Sequence, residues 1–303
     1  MNERVNMRGM GWLPDYPDFR DYTPAQDTLS QRLLMLGQKD SIKKMLAKTG
    51  VTRSIKLPEK IDLRQWCSPV EDQERLGSCT AQAGAGLVEY FERRAFGKHI
   101  DASRLFLYKV TRTMMHMSGD TGAYLRVTMA AMVLFGLPPE EYWPYIIDNF
   151  DKEPTPFCYA FAQNYQAISY YRLDPPGTSK QELLERIKSN LAAGLPSMFG
   201  FTVYSSISQA QETGKIPFPV RTERVMGGHA VVAVGYDDTL KILNKNPGGI
   251  ETTGALLIRN SWGEDWGEEG YGWLPYEYVL RGLAVDWWSL LKNEWIDTGQ
   301  FKV

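Results

Sequence analysis

Four residues in this chain have side chains suited to nucleophilic acyl chemistry: Gln73, Cys79, His229 and Asn260. Cys79 follows Gly77-Ser78 and opens a run of small residues, Ser78 to Ala95 (SCTAQAGAGLVEYFERRA), that reads as a helix stopped by Gly97. A helix N-terminus carries partial positive charge and favours thiolate, the nucleophilic form. Taken alone, a cysteine on a helix is more commonly buried filler. His229 is one of three histidines, with His99 and His116, and it enters the apolar run HAVVAVGY behind Gly227-Gly228. An imidazole there either has a working partner or caps a strand end. Asn260 ends an aliphatic strand in Arg259-Asn260-Ser261-Trp262-Gly263, where it can accept an imidazole N–H and hold one tautomer. Gln73 can donate an amide N–H that, with the Cys79 backbone N–H, would form an oxyanion hole. Nucleophile, base, orienting amide and oxyanion donor are thus all present.

These residues need elements to hold them. Within Ser78–Ala95, Gly84 and Gly86 each cost a helix about 1 kcal/mol relative to alanine, so close packing against that face is expected. Further helices are predicted around 101–115, 122–135 and 179–192, the last opened by a Ser179/Glu182 capping pattern. From about residue 166 strands dominate, with His229–Tyr236 and Gly254–Arg259 the clearest. Helices first and strands later predict two lobes with a cleft between them. Residues 11–24 (GWLPDYPDFRDYTP) hold three prolines and four aromatics without a period, and read as an extended strap. The apolar positions Leu33, Leu34, Ile42, Met45 and Leu46 follow, with Gly50 as a helix stop.

Composition narrows the function classes. The 303 residues carry 34 Lys plus Arg against 36 Asp plus Glu, a net charge of -2, so neither nucleic acid nor an anionic membrane is an expected partner. The N-terminus lacks a signal-peptide pattern and the run Met129–Leu137 is far short of a bilayer span, so a cytoplasmic or non-classically exported protein is expected. Three cysteines, Cys67, Cys79 and Cys158, cannot make a disulfide framework. No histidine or cysteine spacing suggests a metal site, and no cofactor is expected.

The segments QERLGSCTA (73–81), GHAVVAVGYD (228–237) and RNSWGEDWGEEGYG (259–272) together resemble papain-like cysteine peptidases of the C1 family. The order Gln, Cys, His, Asn and the separations of 150 and 31 residues fit that family. The likeness spans roughly residues 58–285. It implies an α+β, two-lobe fold with a helical left lobe (about 58–165) and a β-barrel-like right lobe (about 166–285), the catalytic domain being 58–303. Cys79 matches the nucleophile, His229 the base and acid, Asn260 the orienting residue, Gln73 the oxyanion donor and Trp262 a structural shield. The implied resting state is a Cys79 thiolate beside a His229 imidazolium. The implied substrate is a peptide or protein, with Gly122, Ala123, Tyr124, Ser206, Ile207, Gly227 and Gly228 lining a pocket for a hydrophobic side chain. Residues 1–57 resemble the short arm of bacterial members and are expected to act as a pro-segment or cleft cover. Leu76 and Thr80 stand where the family usually has Cys and Trp. Cys67 and Cys158 could pair or stay as buried thiols. The same thioester chemistry would also serve an amidase or acyltransferase, and a non-catalytic peptide-binding module is a third reading.

Overall fold

A computed structural model describes residues 8–35, 37–51, 56–165 and 169–301. The strap carries strand β1 (Trp12–Leu13) and leads to two short helices, α1 (Gln31–Met35) and α2 (Ile42–Thr49). Ser41 caps α2 by accepting the Lys44 N–H, and Gly50 ends it at φ 83°. Strand β2 (Lys60–Asp62) opens the body, followed by α3 (Cys79–Phe96), α4 (Arg104–Met114), strand β3 (Ala123–Tyr124), α5 (Leu125–Phe135) and α6 (Pro156–Ala162). Then come β4 (Ser169–Arg172), α7 (Lys180–Ala192), β5 (Ser197–Tyr204), β6 (Val225–Leu243), β7 (Glu251–Arg259), β8 (Tyr271–Pro275), α8 (Tyr276–Leu280), β9 (Ala284–Leu291) and α9 (Asn293–Ile296).

The architecture is α+β. Helices α3, α4 and α5 pack together, and the second half is a seven-stranded sheet ordered β4-β9-β5-β6-β7-β8, with β2 paired to β6. Every pairing in that sheet is antiparallel. The sheet does not stop near residue 285. Strand β9 sits between β4 and β5 and carries the chain to Leu291. Strand β6 is likewise longer than the apolar run that announces it, because it continues past the buried stretch at both ends, to exposed Val225 and Leu243.

The small face of α3 has its expected neighbours. A Cβ on Gly86 would lie 2.3 Å from Arg259 Nη1, and one on Gly84 would crowd Leu107, Thr128 and Met132. Arg259 thus crosses from β7 to the helical half, where its Nη2 donates to the Pro69 carbonyl at 2.6 Å and to Ser68 Oγ at 3.1 Å. This ties the two halves together. The aromatic composition goes into the core: Phe199 stacks on Trp287 with centroids 3.8 Å apart, and Phe91 stacks on Trp295 at 5.2 Å. All three cysteines are buried and free. Among the described residues, no helix is long and apolar enough to cross a membrane.

Candidate active site

Cys79 is the first residue of α3 and is fully buried. The preceding Ser78 does not cap the helix with its side chain; its hydroxyl pairs with Tyr145 Oη at 2.7 Å. Gly77 N–H donates to Asp120 Oδ1 at 3.0 Å, which holds the approach to the helix. The sulfur accepts two backbone N–H groups, from Gly11 and from Ala230, each at 3.3 Å. Ala230 follows His229, so β6 brings His229 beside Cys79.

His229 Nε2 lies 2.7 Å from Asn260 Oδ1. That oxygen also accepts the Ser261 N–H at 2.8 Å, which identifies it as the amide's acceptor end. An acceptor facing Nε2 requires the proton to sit there, so the lone pair of a neutral ring is on Nδ1. Nδ1 is buried and has no hydrogen-bond partner among the described residues. Trp262 stacks on the imidazole with centroids 4.5 Å apart at 22°.

Burial dominates the charge state. It pushes the Cys79 thiol up to about 11, opposed by the backbone N–H groups on the sulfur. It pushes the His229 imidazole down to about 4, opposed by the Asn260 bond. Both shifts favour neutral partners in this buried arrangement, so a thiolate–imidazolium pair is not the state favoured here.

Gln73 is buried with its side chain fixed at both ends. Oε1 accepts from Ser261 Oγ at 2.6 Å, so the NH2 faces the other way. Nε2 donates to the Leu76 carbonyl at 2.8 Å and to the Gly9 carbonyl at 3.0 Å. The second partner comes from the strap. Gly9 N–H in turn donates to the Glu74 carbonyl at 2.8 Å.

The strap therefore runs across Cys79 and Gln73. Its strand β1 pairs in parallel with β3, Trp12 opposite Ala123 and Leu13 opposite Tyr124, and Ala123 N–H donates to the Gly11 carbonyl at 2.7 Å. A Cβ on Gly11 would lie 1.8 Å from the Gly77 carbonyl oxygen, so only glycine allows this approach to Cys79. Gly122, Gly227 and Gly228 press against Gly11, Met10 and Trp12 respectively. Ser206 and Ile207 lie in a 3-10 turn, Ser205–Ala210, that follows β5. Five of the seven expected pocket residues thus meet the strap directly: Gly122, Ala123, Tyr124, Gly227 and Gly228.

Two features escape a reading of the sequence. Ser261, whose hydroxyl fixes Gln73 Oε1, lies inside the RNSWG stretch, but nothing local to it points to a residue 188 positions away. The burial of the Trp12 indole against Asp286 is likewise unannounced, because the two are 274 residues apart.

Residues 57–279 match the family described as papain family cysteine protease, peptidase C1. An uncharacterized peptidase C1-like protein, L477, of Acanthamoeba polyphaga mimivirus is 30% identical over 296 residues, covering 96% of this chain and 89% of that protein. Among solved structures, xylellain, a cysteine protease from Xylella fastidiosa, superposes with a TM-score of 0.70 at 32% identity, covering 96% of this chain and 98% of the other. Bromelain from Ananas comosus, in complex with the E64 inhibitor, shares the fold at 19% identity and a TM-score of 0.56, covering 77% of this chain and 99% of the other. The chain belongs to the papain family of cysteine proteases and is a cysteine-type peptidase hydrolase.

Proposed function

We propose that Cys79 and His229 hydrolyse peptide bonds in a cleft that residues 1–57 cover as a pro-segment, with 58–303 as the catalytic domain. When the cleft opens, water reaches both groups and a proton passes from Sγ to Nδ1 of His229. The thiolate attacks the substrate carbonyl carbon, and the resulting oxyanion takes hydrogen bonds from Gln73 Nε2 and the Cys79 backbone N–H. The tetrahedral species collapses as His229 delivers its proton to the leaving amine, leaving a thioester on Cys79. His229 then draws a proton from water, which attacks the thioester and releases the acid and the thiol. Asn260 keeps the imidazole in one tautomer throughout. Gly122, Ala123, Tyr124, Gly227 and Gly228 line the path of the substrate, with Ser206 and Ile207 at its margin.

The observation that carries this reading is the position of the strap's own backbone. The Gly9 carbonyl rests on Gln73 Nε2 and the Gly11 N–H points at Cys79 Sγ. A peptide held there blocks access while leaving the catalytic groups in register. The test is covalent labelling by a peptide-like epoxide, followed by mass spectrometry. Labelling of Cys79 is expected to be slow in the full chain and fast in the full-length Gly11→Ala variant. It should vanish in Cys79→Ala. Equal labelling of wild type and Gly11→Ala would reject the cover.

A further inference from the structure

One strap side chain passes beyond the cleft floor. The Trp12 ring is 5% exposed and lies where neither Gly200 nor Gly228 could carry a Cβ, at 1.9 Å and 2.8 Å from ring carbons. At the end of this slot the indole Nε1 donates to Asp286 Oδ2 at 3.1 Å. Asp286 is completely buried, and its other oxygen is already engaged, accepting Trp288 Nε1 at 2.7 Å and facing Arg172 Nη1 at 3.2 Å. The backbone is distorted to put the carboxylate there. The β5–β9 ladder shifts register between Met198 and Gly200, from Met198 opposite Trp288 to Gly200 opposite Val285, and Asp286 adopts φ 63°. A bulge re-aims a side chain, and a non-glycine residue at positive φ costs about 1–3 kcal/mol that the surroundings must offset.

We propose that this slot is a substrate side-chain subsite selective for tryptophan, with Asp286 Oδ2 accepting the indole N–H of the substrate as it accepts that of Trp12. The proposal rests on the reading that the strap occupies the substrate path. Asp286 is the specificity-determining residue. A phenylalanine or leucine would fill the slot and leave a buried carboxylate oxygen without a donor, a loss of about 10- to 100-fold. A lysine or arginine would supply donors but upset the charge. The strap contributes Asp15 and Asp21 to Arg126 and Arg172. Once it leaves, Arg126 and Arg172 stand against Asp174 and Asp286, a balanced set that an added cation would unbalance. A large, flat, neutral donor fits both constraints.

The full-length Trp12→Ala variant turns the slot into a cavity. Its binding of free indole and of indene, the same shape without the N–H, would be compared by calorimetry. Indole is expected to bind at least about 10-fold tighter, and the difference should disappear when Asp286→Asn is added, because the amide turns its oxygen to Arg172 and Trp288 and its NH2 to the slot. Equal binding, or a difference that survives Asp286→Asn, overturns the proposal. Cleavage by Trp12→Ala of peptides varied at one position should favour Trp over Phe, Leu and Arg by about 10-fold in kcat/KM. A preference for Leu or Arg overturns it. Failure to cleave any peptide with the indole–indene difference intact would count against hydrolysis while supporting the indole-selective slot.

Discussion

The backbone N–H of Gly11 points at the sulfur of Cys79 from 3.3 Å, and the gap that admits it is the width of a missing methyl group. Replacing Gly11 by alanine puts a carbon into the Gly77 carbonyl, an obstacle made of backbone that cannot swing aside. The full-length Gly11→Ala protein is expected to hydrolyse a fluorogenic peptide about 10-fold faster than wild type or more, with an unchanged melting temperature for the body. A rate equal to wild type would mean that the strap does not limit access.

The charge state of the thiol should report the same opening. With the cleft covered, Cys79 titrates near 11, so at neutral pH very little thiolate exists. Alkylation of Cys79 in the wild-type chain should therefore be slow at pH 7 and climb as pH approaches 11. In Gly11→Ala, solvated His229 can take the thiol proton, and the alkylation rate should already be high below pH 7. Mass spectrometry of iodoacetamide-treated protein from pH 5 to 10 measures both curves. Superimposable profiles would contradict the linkage between cover and ionisation.

The strap is pinned by charge as well as by shape. Arg126 bonds Asp15 and Asp21, and Asp21 is almost fully buried beside Arg172. Arg126→Ala removes the partner of two strap carboxylates and touches none of the catalytic groups. Turnover of the full chain should rise about 3- to 10-fold. Wild-type activity should also rise with ionic strength, because Arg126 and Asp15 are each about one-quarter exposed and are open to screening. Arg126→Ala should show a flatter salt dependence. Parallel salt curves for the two proteins would place the restraint elsewhere.

Ser261 offers a test of alignment rather than access. Its hydroxyl holds Gln73 Oε1 at 2.6 Å, which decides the direction of the Gln73 N–H bonds. In the Gly11→Ala background, Ser261→Ala should lower kcat about 10-fold with little change in KM, since an oxyanion contact matters most in the transition state. Ser261→Thr keeps the hydroxyl and should restore much of the loss. An increase in KM alone would assign Ser261 to substrate binding.

The candidate site residues were legible because each is announced locally. Cys79 follows a Gly-Ser entry to a helix, His229 interrupts an apolar strand, and Asn260 precedes a Trp-Gly turn. The α+β arrangement could be read from the switch between helical periods and β-branched runs. Residues 30–48 were harder: their apolar positions and the Gly50 stop do not show that α1 and α2 are separate, with Gly37 at φ 83° between them. Asp286 was illegible for a different reason. It lies in the run AVDWWSLL, where alternation gives no warning of a bulge, and a single register shift changes which face a side chain occupies. Its partner Trp12 stands in a segment with no period at all.

The strap is anchored at both ends of its course, by Trp12 in the slot and by α2, where Lys48 bridges Asp40 and Asp297 and Asn293 Oδ1 accepts the Lys39 and Asp40 N–H groups. The occupant of the cleft is consequently part of the same molecule, and its local concentration is set by the length of chain that joins it to the body. For a short connection that is of the order of millimolar, whatever the amount of enzyme in solution. Dilution leaves such an occupant in place. A competing peptide must match that local concentration, whereas a single cut in the joining chain would make release depend on dilution.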